Sequence, residues 1–526
     1  MKQDDALTIL KTGMNVFLTG EPGSGKTHTI NRYIQWLRER GVEPSVTAST
    51  GIAATHVGGH TIHSWSGIGV KSKITDWDIE MISQREKTAR RMVEAKVLII
   101  DEISMLDADT LASIDKVLRT LRRQPLTEGR PFGGLQIIFV GDFFQLPPVS
   151  KGARAVFAFE SPAWREANPV VCYLSEQHRQ EDPDFLDLLG ALRSGTFGDS
   201  HMSRLRSRTG IEPKKEIATR LYTHNVDVDR INTESLNKIS GTSRKFVMQT
   251  RGASALVETF KKNCLSPETL ELKEGAAVMF TRNNFDEGYV NGTLGVVVGF
   301  ADSGYPIVKT KSGKKIVAEL GEWSITDGPK ILAQVKQVPL RLAWAITVHK
   351  SQGMSLDSAI IDLGAAFEYG QGYVAISRVR SLQGLFLDSF NERSLQLHPK
   401  VVGKDHMFRQ SAAAARQKFA SLTRGEKADL EQNFLRAIGA RDPSTTAKLA
   451  TGQGPAGKSS IEILREKYPN VGKPWTKEDD AHLTKMFKAE KPRKEMADHF
   501  KRRPSAIEAR LSHLGLIETF WKPRGK

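Results

Sequence analysis

The chain has 526 residues, with 76 Lys and Arg against 60 Asp and Glu, a net charge of +16. At about 100–200 residues per domain, that length implies several domains, each able to bury a core. Charged residues at 26% and hydrophobic residues at 39% exclude wholesale disorder, and no apolar run approaches the about 18 residues that span a bilayer.

The start, Met1-Lys2-Gln3-Asp4-Asp5, is acidic and has no export segment. Two cysteines, Cys172 and Cys264, exclude a disulfide scaffold or zinc finger and suit a reducing cytosol. The basic excess is uneven. Residues 401–526 contain 26 Lys and Arg against 15 Asp and Glu, or +11, which leaves +5 for the first 400. A basic tail on a nearly balanced body points to an anionic polymer, with a merely solvated surface as the alternative.

Residues 10–150 alternate short apolar runs with helical stretches, the rhythm of a parallel α/β sheet. Asn15–Thr19 predicts a strand, and Ile30, Ile34 and Leu37 predict one face of a helix that Gly41 stops. Between them lies Gly20-Glu21-Pro22-Gly23-Ser24-Gly25-Lys26-Thr27, the pattern of a phosphate-binding loop. Its backbone N–H groups would wrap phosphates at a helix amino terminus. Lys26 is expected on the β and γ phosphates of ATP, and Thr27 on Mg2+.

The apolar run Val97–Ile100 ends in Asp101 and Glu102. Asp101 is expected to hold the metal and Glu102 to polarise the attacking water. Another buried strand leads into Gly141-Asp142-Phe143-Phe144-Gln145-Leu146-Pro147-Pro148, which would place Gln145 beside the γ phosphate.

A second α/β region is expected over 176–400, with strands near Ala359–Ile361 and Gly384–Leu387. Within it, glycines punctuate short β runs over 275–338, which predicts a small inserted β-barrel. Residues 401–440 read as a helical extension and 441–460 as a flexible Gly/Pro-rich linker. From Pro474-Trp475-Thr476 onward, three short helices are predicted, with Leu483, Met486, Phe487, Met496, Ala497, Phe500, Ile507, Leu511 and Leu514 inward.

Two blocks in the second region decide the class: Ala345-Ile346-Thr347-Val348-His349-Lys350-Ser351-Gln352-Gly353 and Tyr373-Val374-Ala375-Ile376-Ser377-Arg378-Val379-Arg380. Taken in order with the loop and the acidic pair, they resemble the motifs of superfamily-one helicases of the PIF/RecD-like branch. Thr50-Gly51-Ile52-Ala53-Ala54 with Thr61-Ile62-His63-Ser64-Trp65 resembles the branch's strand-contacting motif Ia. Ser104–Arg123 and Phe132-Gly133-Gly134-Leu135-Gln136 resemble its signature helix and the segment after it.

That resemblance, which covers about residues 1–400, implies an ATP-dependent motor that moves 5′ to 3′ on single-stranded DNA and opens junctions or duplexes with 5′ tails. It implies two RecA-like domains, at 1–175 and 176–400, with ATP and Mg2+ between them. Gln3 would read adenine, and Arg179 and Arg378 would be arginine fingers. Arg380 would be either a third such group or a structural ion pair. Thr50, Thr61, His63, Thr347, His349, Lys350 and Ser351 would contact the strand or the path coupling it to ATP, with a core role open for His349.

A wedge is implied within about 55–90, where Trp65 and Trp77 are candidates for base stacking and packing is the expected fate of both. The module at 461–526 resembles Myb or helix-turn-helix units. There Ser505, Arg510 and His513 would face a groove, with Lys501, Arg502 and Arg503 near phosphates, protein docking being the alternative. Two rival readings are a DNA-tethered ATPase switch and an RNA motor.

Overall fold

The computed structural model describes residues 1–56, 59–69, 71–123, 127–148, 156–176, 182–213, 218–222, 228–284, 286–327, 330–348, 350–364, 366, 368–441, 469–470, 475–489, 491–502, 506–507, 510–511, 514 and 516. The chain forms two compact units, residues 1–38 with 42–439 and residues 39–41 with 440–526. Among the described residues no helix is long and apolar enough to cross a membrane.

In the larger unit, β1 (Val16–Gly20), β2 (Ser45–Ala48), β3 (His60–Thr61), β4 (Val97–Asp101), β5 (Gln136–Val140) and β6 (Val170–Leu174) form one parallel sheet in the order β3-β2-β4-β5-β1-β6. β1 and β5 are buried along their whole length. Helices cover both faces of such a sheet, so its inner strands read as unbroken apolar runs. Helix Lys26–Arg38 buries Ile30, Ile34 and Leu37 as expected, and Gly41 follows it with φ of +71°.

An aromatic core backs the sheet. Phe17 lies 5.0 Å from both Trp164 and Phe408, and Phe139 stacks on Trp164 at 4.5 Å. Phe408 belongs to helix Pro399–Ser421, which packs on β6. The extension after the second region therefore completes the core of the first.

A second parallel sheet has the strand order Ala345–Thr347, Thr219–Tyr222, Ala359–Leu363, Leu385–Phe390. Everything between Tyr222 and Ala345 is inserted between two of its neighbouring strands. The insertion contains a five-stranded antiparallel sheet ordered Lys315–Val317, Pro306–Thr310, Leu294–Phe300, Ala277–Phe280, Leu340–Leu342 around a core with Phe280, Val297, Val308 and Leu340. Hairpin Gly321–Asp327 and Lys330–Gln337 pairs with Gln249–Gly252.

The barrel expected at 275–338 is corrected on two points. Among the described residues no pairing joins Lys315–Val317 to Leu340–Leu342, and the β structure begins at Arg244. Arg244–Val247 and Gln249–Gly252 are largely exposed, so they carry no apolar alternation to announce them.

In the smaller unit, Thr476 caps helix Lys477–Lys488, accepting from the Asp479 N–H at 3.1 Å. Leu483, Met496, Ala497, Phe500, Ile507 and Leu511 form its core. The groove-facing role expected of Arg510 and the phosphate contact expected of Arg502 are corrected. Arg502 is 6% exposed and lies 4.3 Å from the Trp475 ring, while Arg510 makes two bonds to the Asp480 carboxylate at 2.6 and 2.7 Å. A planar guanidinium stacks on indole and forks onto carboxylate, so both cations join the module together. Arg503, Ser505 and His513 lie outside the described residues.

Candidate active site

The phosphate-binding loop joins β1 to helix Lys26–Arg38. Gly20 has no room for a side chain beside backbone, and Gly25 has a positive φ that favours glycine. A Cβ on Gly20 (φ +146°) would sit 2.7 Å from the Leu174 carbonyl oxygen, and one on Gly25 (φ +87°) would sit 2.2 Å from Gln3 Nε2. Gln3 thus leans over the loop, its amide donating to the Ser24 carbonyl at 3.5 Å.

Lys26 Nζ donates to the carbonyls of Gly20 at 2.8 Å and Glu21 at 3.1 Å. The Ser24 hydroxyl is buried with no hydrogen-bond partner. An orphaned buried hydroxyl, a lysine folded into its own loop and a helix amino terminus together fit an incoming phosphate chain. Thr27 stands one residue into the helix.

Asp101 ends β4, and Glu102 follows in a left-handed conformation with φ of 51°. A non-glycine residue there costs about 1–3 kcal/mol, strain that gathers at functional sites. The Glu102 N–H donates to Asp101 Oδ1 at 2.8 Å, and the Ser49 hydroxyl donates to the Glu102 carbonyl at 2.7 Å. Burial pushes both carboxyls above their usual range. The neighbouring Asp101 raises Glu102 further, while Lys26 and Arg378 oppose the rise.

Two buried acids side by side call for a cation. Mg2+ is commonly held by one or two carboxylates plus substrate phosphates, and the acidic pair with Thr27 suits that arrangement. Among the described residues no cluster of three or more His, Cys, Asp or Glu side chains forms a self-sufficient metal cage.

The second sheet reaches this pair through Gln352. Its Nε2 donates to Glu102 Oε2 at 3.2 Å and to Gln145 Oε1 at 3.4 Å. Gln145 itself is 7% exposed. Arg378 is 1% exposed, donating from Nε to the Val374 carbonyl and from Nη2 to the Ser377 hydroxyl, both at 2.9 Å. Burial lowers its pKa and the Glu102 carboxylate resists that fall. Lys26, Glu102, Gln145 and Arg378 are therefore brought together as expected.

Gln352 was missed as a site residue, although it stands inside the Ser351-Gln352-Gly353 block. Gln352→Ala is expected to lower DNA-stimulated ATP turnover about ten- to hundredfold, the worth of one hydrogen bond to a charged group. Steady-state ATPase assays with and without single-stranded DNA check this.

The expected strand contacts divide. Thr50 and Thr61 accept from Ala53 N–H and Ser64 N–H at 3.3 and 3.2 Å, capping the short helices that follow them. His63 is partly buried and kept toward its neutral form by that burial.

Two expectations are corrected, base stacking by Trp65 and packing of Trp77. Trp65 is 3% exposed, packed inward by helix Ile62–Ser66, whereas Trp77 at the start of helix Asp76–Ser83 is 64% exposed. Thr347 is 5% exposed and accepts from the Lys350 N–H at 3.2 Å. Ser351 is fully buried, its hydroxyl donating to the Val348 carbonyl at 2.7 Å. Both hydroxyls satisfy the turn that delivers Gln352, a short-range role open to such side chains. Lys350 is partly exposed on that turn. Arg380 pairs with Asp357 at 2.9 Å, the structural alternative. Arg179 and His349 lie outside the described residues.

Comparison with known proteins shows what the chain is similar to. Residues 4–202 match the model of the PIF1-like helicases, and 255–300 match that of the Pif1 helicase 2B domain. The ATP-dependent DNA helicase Pif1 of Psychrobacter is 39% identical, covering 95% of this chain and 81% of that protein. The human ATP-dependent DNA helicase PIF1 is 37% identical over 76% of this chain, which spans 62% of that longer protein. The Bacteroides Pif1 solved with ADP-AlF4 is 29% identical, with a TM-score of 0.66 over 78% of this chain and 96% of that one. A crystal of the same helicase bound to single-stranded DNA matches with a TM-score of 0.51, 29% identity and coverage of 78% and 97%.

Proposed function

The chain belongs to the Pif1-like family of ATP-dependent DNA helicases, and from that premise we propose that it steps 5′ to 3′ along single-stranded DNA. One observation carries the mechanism. Gln352, from the second sheet, is bonded to both Glu102 and Gln145 on the first, so motion between the sheets and the hydrolytic groups are linked directly.

ATP would lie with its base against Gln3 and its phosphates in the loop of Gly20–Thr27. Lys26 would leave the Gly20 and Glu21 carbonyls for the β and γ phosphates. Thr27 and Asp101 would hold Mg2+, which neutralises phosphate charge when bound. Glu102 would take a proton from the attacking water, with Gln145 beside the γ phosphate.

Arg378, buried and permanently charged, would stabilise charge on the transferring phosphoryl group, as would Arg179. Loss of the γ phosphate would loosen the link through Gln352 and open the cleft. Alternating grips on the strand would convert each opening into a step. The Bacteroides structures with ADP-AlF4 and with single-stranded DNA support both halves of this cycle as a reading of the present chain.

The direct test is strand separation on DNA duplexes with a 5′ or a 3′ single-stranded tail. ATP-dependent unwinding is expected with the 5′ tail alone. Unwinding confined to 3′-tailed duplexes would overturn the direction while leaving the motor standing. Roles in replication, repair or recombination are proposed on the same basis.

A further inference from the structure

Helix Pro183–Ser194 carries none of the hydrolytic groups named above, yet both its ends are anchored to the machinery. At its start, Asp182 Oδ1 accepts from the Phe185 N–H at 3.2 Å, capping the helix. Asp182 Oδ2 accepts from the Leu382 N–H at 2.9 Å, just beyond Arg378 and Arg380. In its last turn lies Arg193, 2% exposed.

The Arg193 guanidinium joins four segments. Nη1 donates to Asp142 Oδ2 at 2.6 Å and to the Tyr373 hydroxyl at 2.9 Å, and Nη2 donates to the Tyr173 hydroxyl at 2.7 Å. The Phe144 ring lies 4.3 Å away. Asp142 opens the segment that ends in Gln145, and Tyr373 sits on helix Gln371–Ile376, just before Arg378. Tyr173 is in β6, where Arg409 from helix Pro399–Ser421 also donates to its hydroxyl at 2.7 Å.

One donor is left over. Arg193 Nε is buried without a hydrogen-bond partner, and Glu21 Oε1 of the phosphate-binding loop is 3.9 Å from it.

Taking Arg193 and Asp142 out of water offsets much of their attraction, so the pair is poorly explained as a stabiliser. It is well suited to fixing one arrangement of the segments it touches. We propose that Arg193 is a positioning residue that relays the state of the phosphate-binding loop to the helix that leads into Arg378. The loop supplies the input: Lys26 now bonds the Glu21 carbonyl, and phosphates that draw Lys26 away release the loop on the side facing Arg193 Nε. The output is the bond to Tyr373, which sets the turn that ends in Arg378. The relay rests on the ATP-driven reading above.

Two conservative variants of the full chain test it. Tyr373→Phe keeps the ring and removes one acceptor, while Arg193→Lys keeps the charge and loses the fork. The readouts are kcat and KM for ATP with saturating single-stranded DNA, strand affinity and melting temperature. Each variant is expected to lower kcat about ten- to hundredfold, as for one charged hydrogen bond, with KM and strand affinity within about twofold. Because both act on one path, the double variant should be no slower than the slower single one.

Unchanged kcat in Tyr373→Phe overturns the relay, whatever happens to melting temperature. So do effects that multiply in the double variant. Should Arg193→Lys fail to fold, kcat of Tyr373→Phe decides alone. A wild-type chain without DNA-stimulated hydrolysis would sink the motor reading itself, an outcome separable from silent variants in an active chain.

Discussion

With Glu102 replaced by glutamine, ATP is expected to bind as before while DNA-stimulated hydrolysis falls by about 10²–10⁴, the contribution of a positioned general base. The substitution keeps the size of the side chain and removes a charge from beside Asp101. Since burial and the neighbouring Asp101 disfavour the ionised form of Glu102, removing that charge gives nucleotide binding no reason to weaken. The base must also be ionised to act, and burial and Asp101 raise its pKa, so acidification removes it. Wild-type kcat should therefore decline as pH is lowered, and Glu102→Gln should lack that acid limb. Nucleotide titration together with pH-resolved ATPase assays checks both points. Near-normal turnover in the glutamine variant would remove Glu102 from its assigned role.

Arg378→Ala is expected to lower DNA-stimulated ATPase by about 10³ or more, in line with arginine fingers elsewhere. Single-strand affinity should stay within a few-fold. The guanidinium is fully buried and lies in the field of Glu102 rather than at a surface open to DNA. Arg378→Lys restores the charge without the planar fork and should recover only part of the loss. A parallel fall in strand affinity and turnover would instead place Arg378 on the DNA path.

The ATP chemistry was legible in the sequence because it is local. A phosphate-binding loop needs its glycines, lysine and threonine within eight consecutive residues, since one strand-to-helix turn builds it. Asp101 and Glu102 need only follow one buried strand. The same locality explains why the strand expected near Ala359–Ile361 and the capped helix opening at Thr476 stand where their residues predict. Helix Ala108–Leu121 lies within the Ser104–Arg123 stretch expected to be helical, with Leu111, Ile114 and Leu118 buried and Leu121, at the same helical spacing, half-buried.

Contacts between distant segments were not legible. Trp65 and Trp77 are both tryptophans in a polar insertion, and only the direction each helix faces decides that the first is buried and the second exposed. Thr347 and Ser351 read as contacts either to the strand or to the path coupling it to ATP, and the fold commits their hydroxyls to the turn that carries Gln352. Arg502 reads as a phosphate contact and Arg510 as facing a groove until Trp475 and Asp480 are brought beside them. Periodicity and propensity report which face a residue takes, not which partner meets that face.

By itself, then, the sequence determined the ATP chemistry, the class of motor and the apolar cores, all set by short-range patterns. The tertiary structure alone decided that Gln352 bonds Glu102 across 250 residues and that Arg193 reaches Tyr373 across 180. It also decided that Phe408 completes a core begun by Phe17. Those pairings depend on chain closure over long separations, where many partners of the same chemical type compete and only the packed fold selects one.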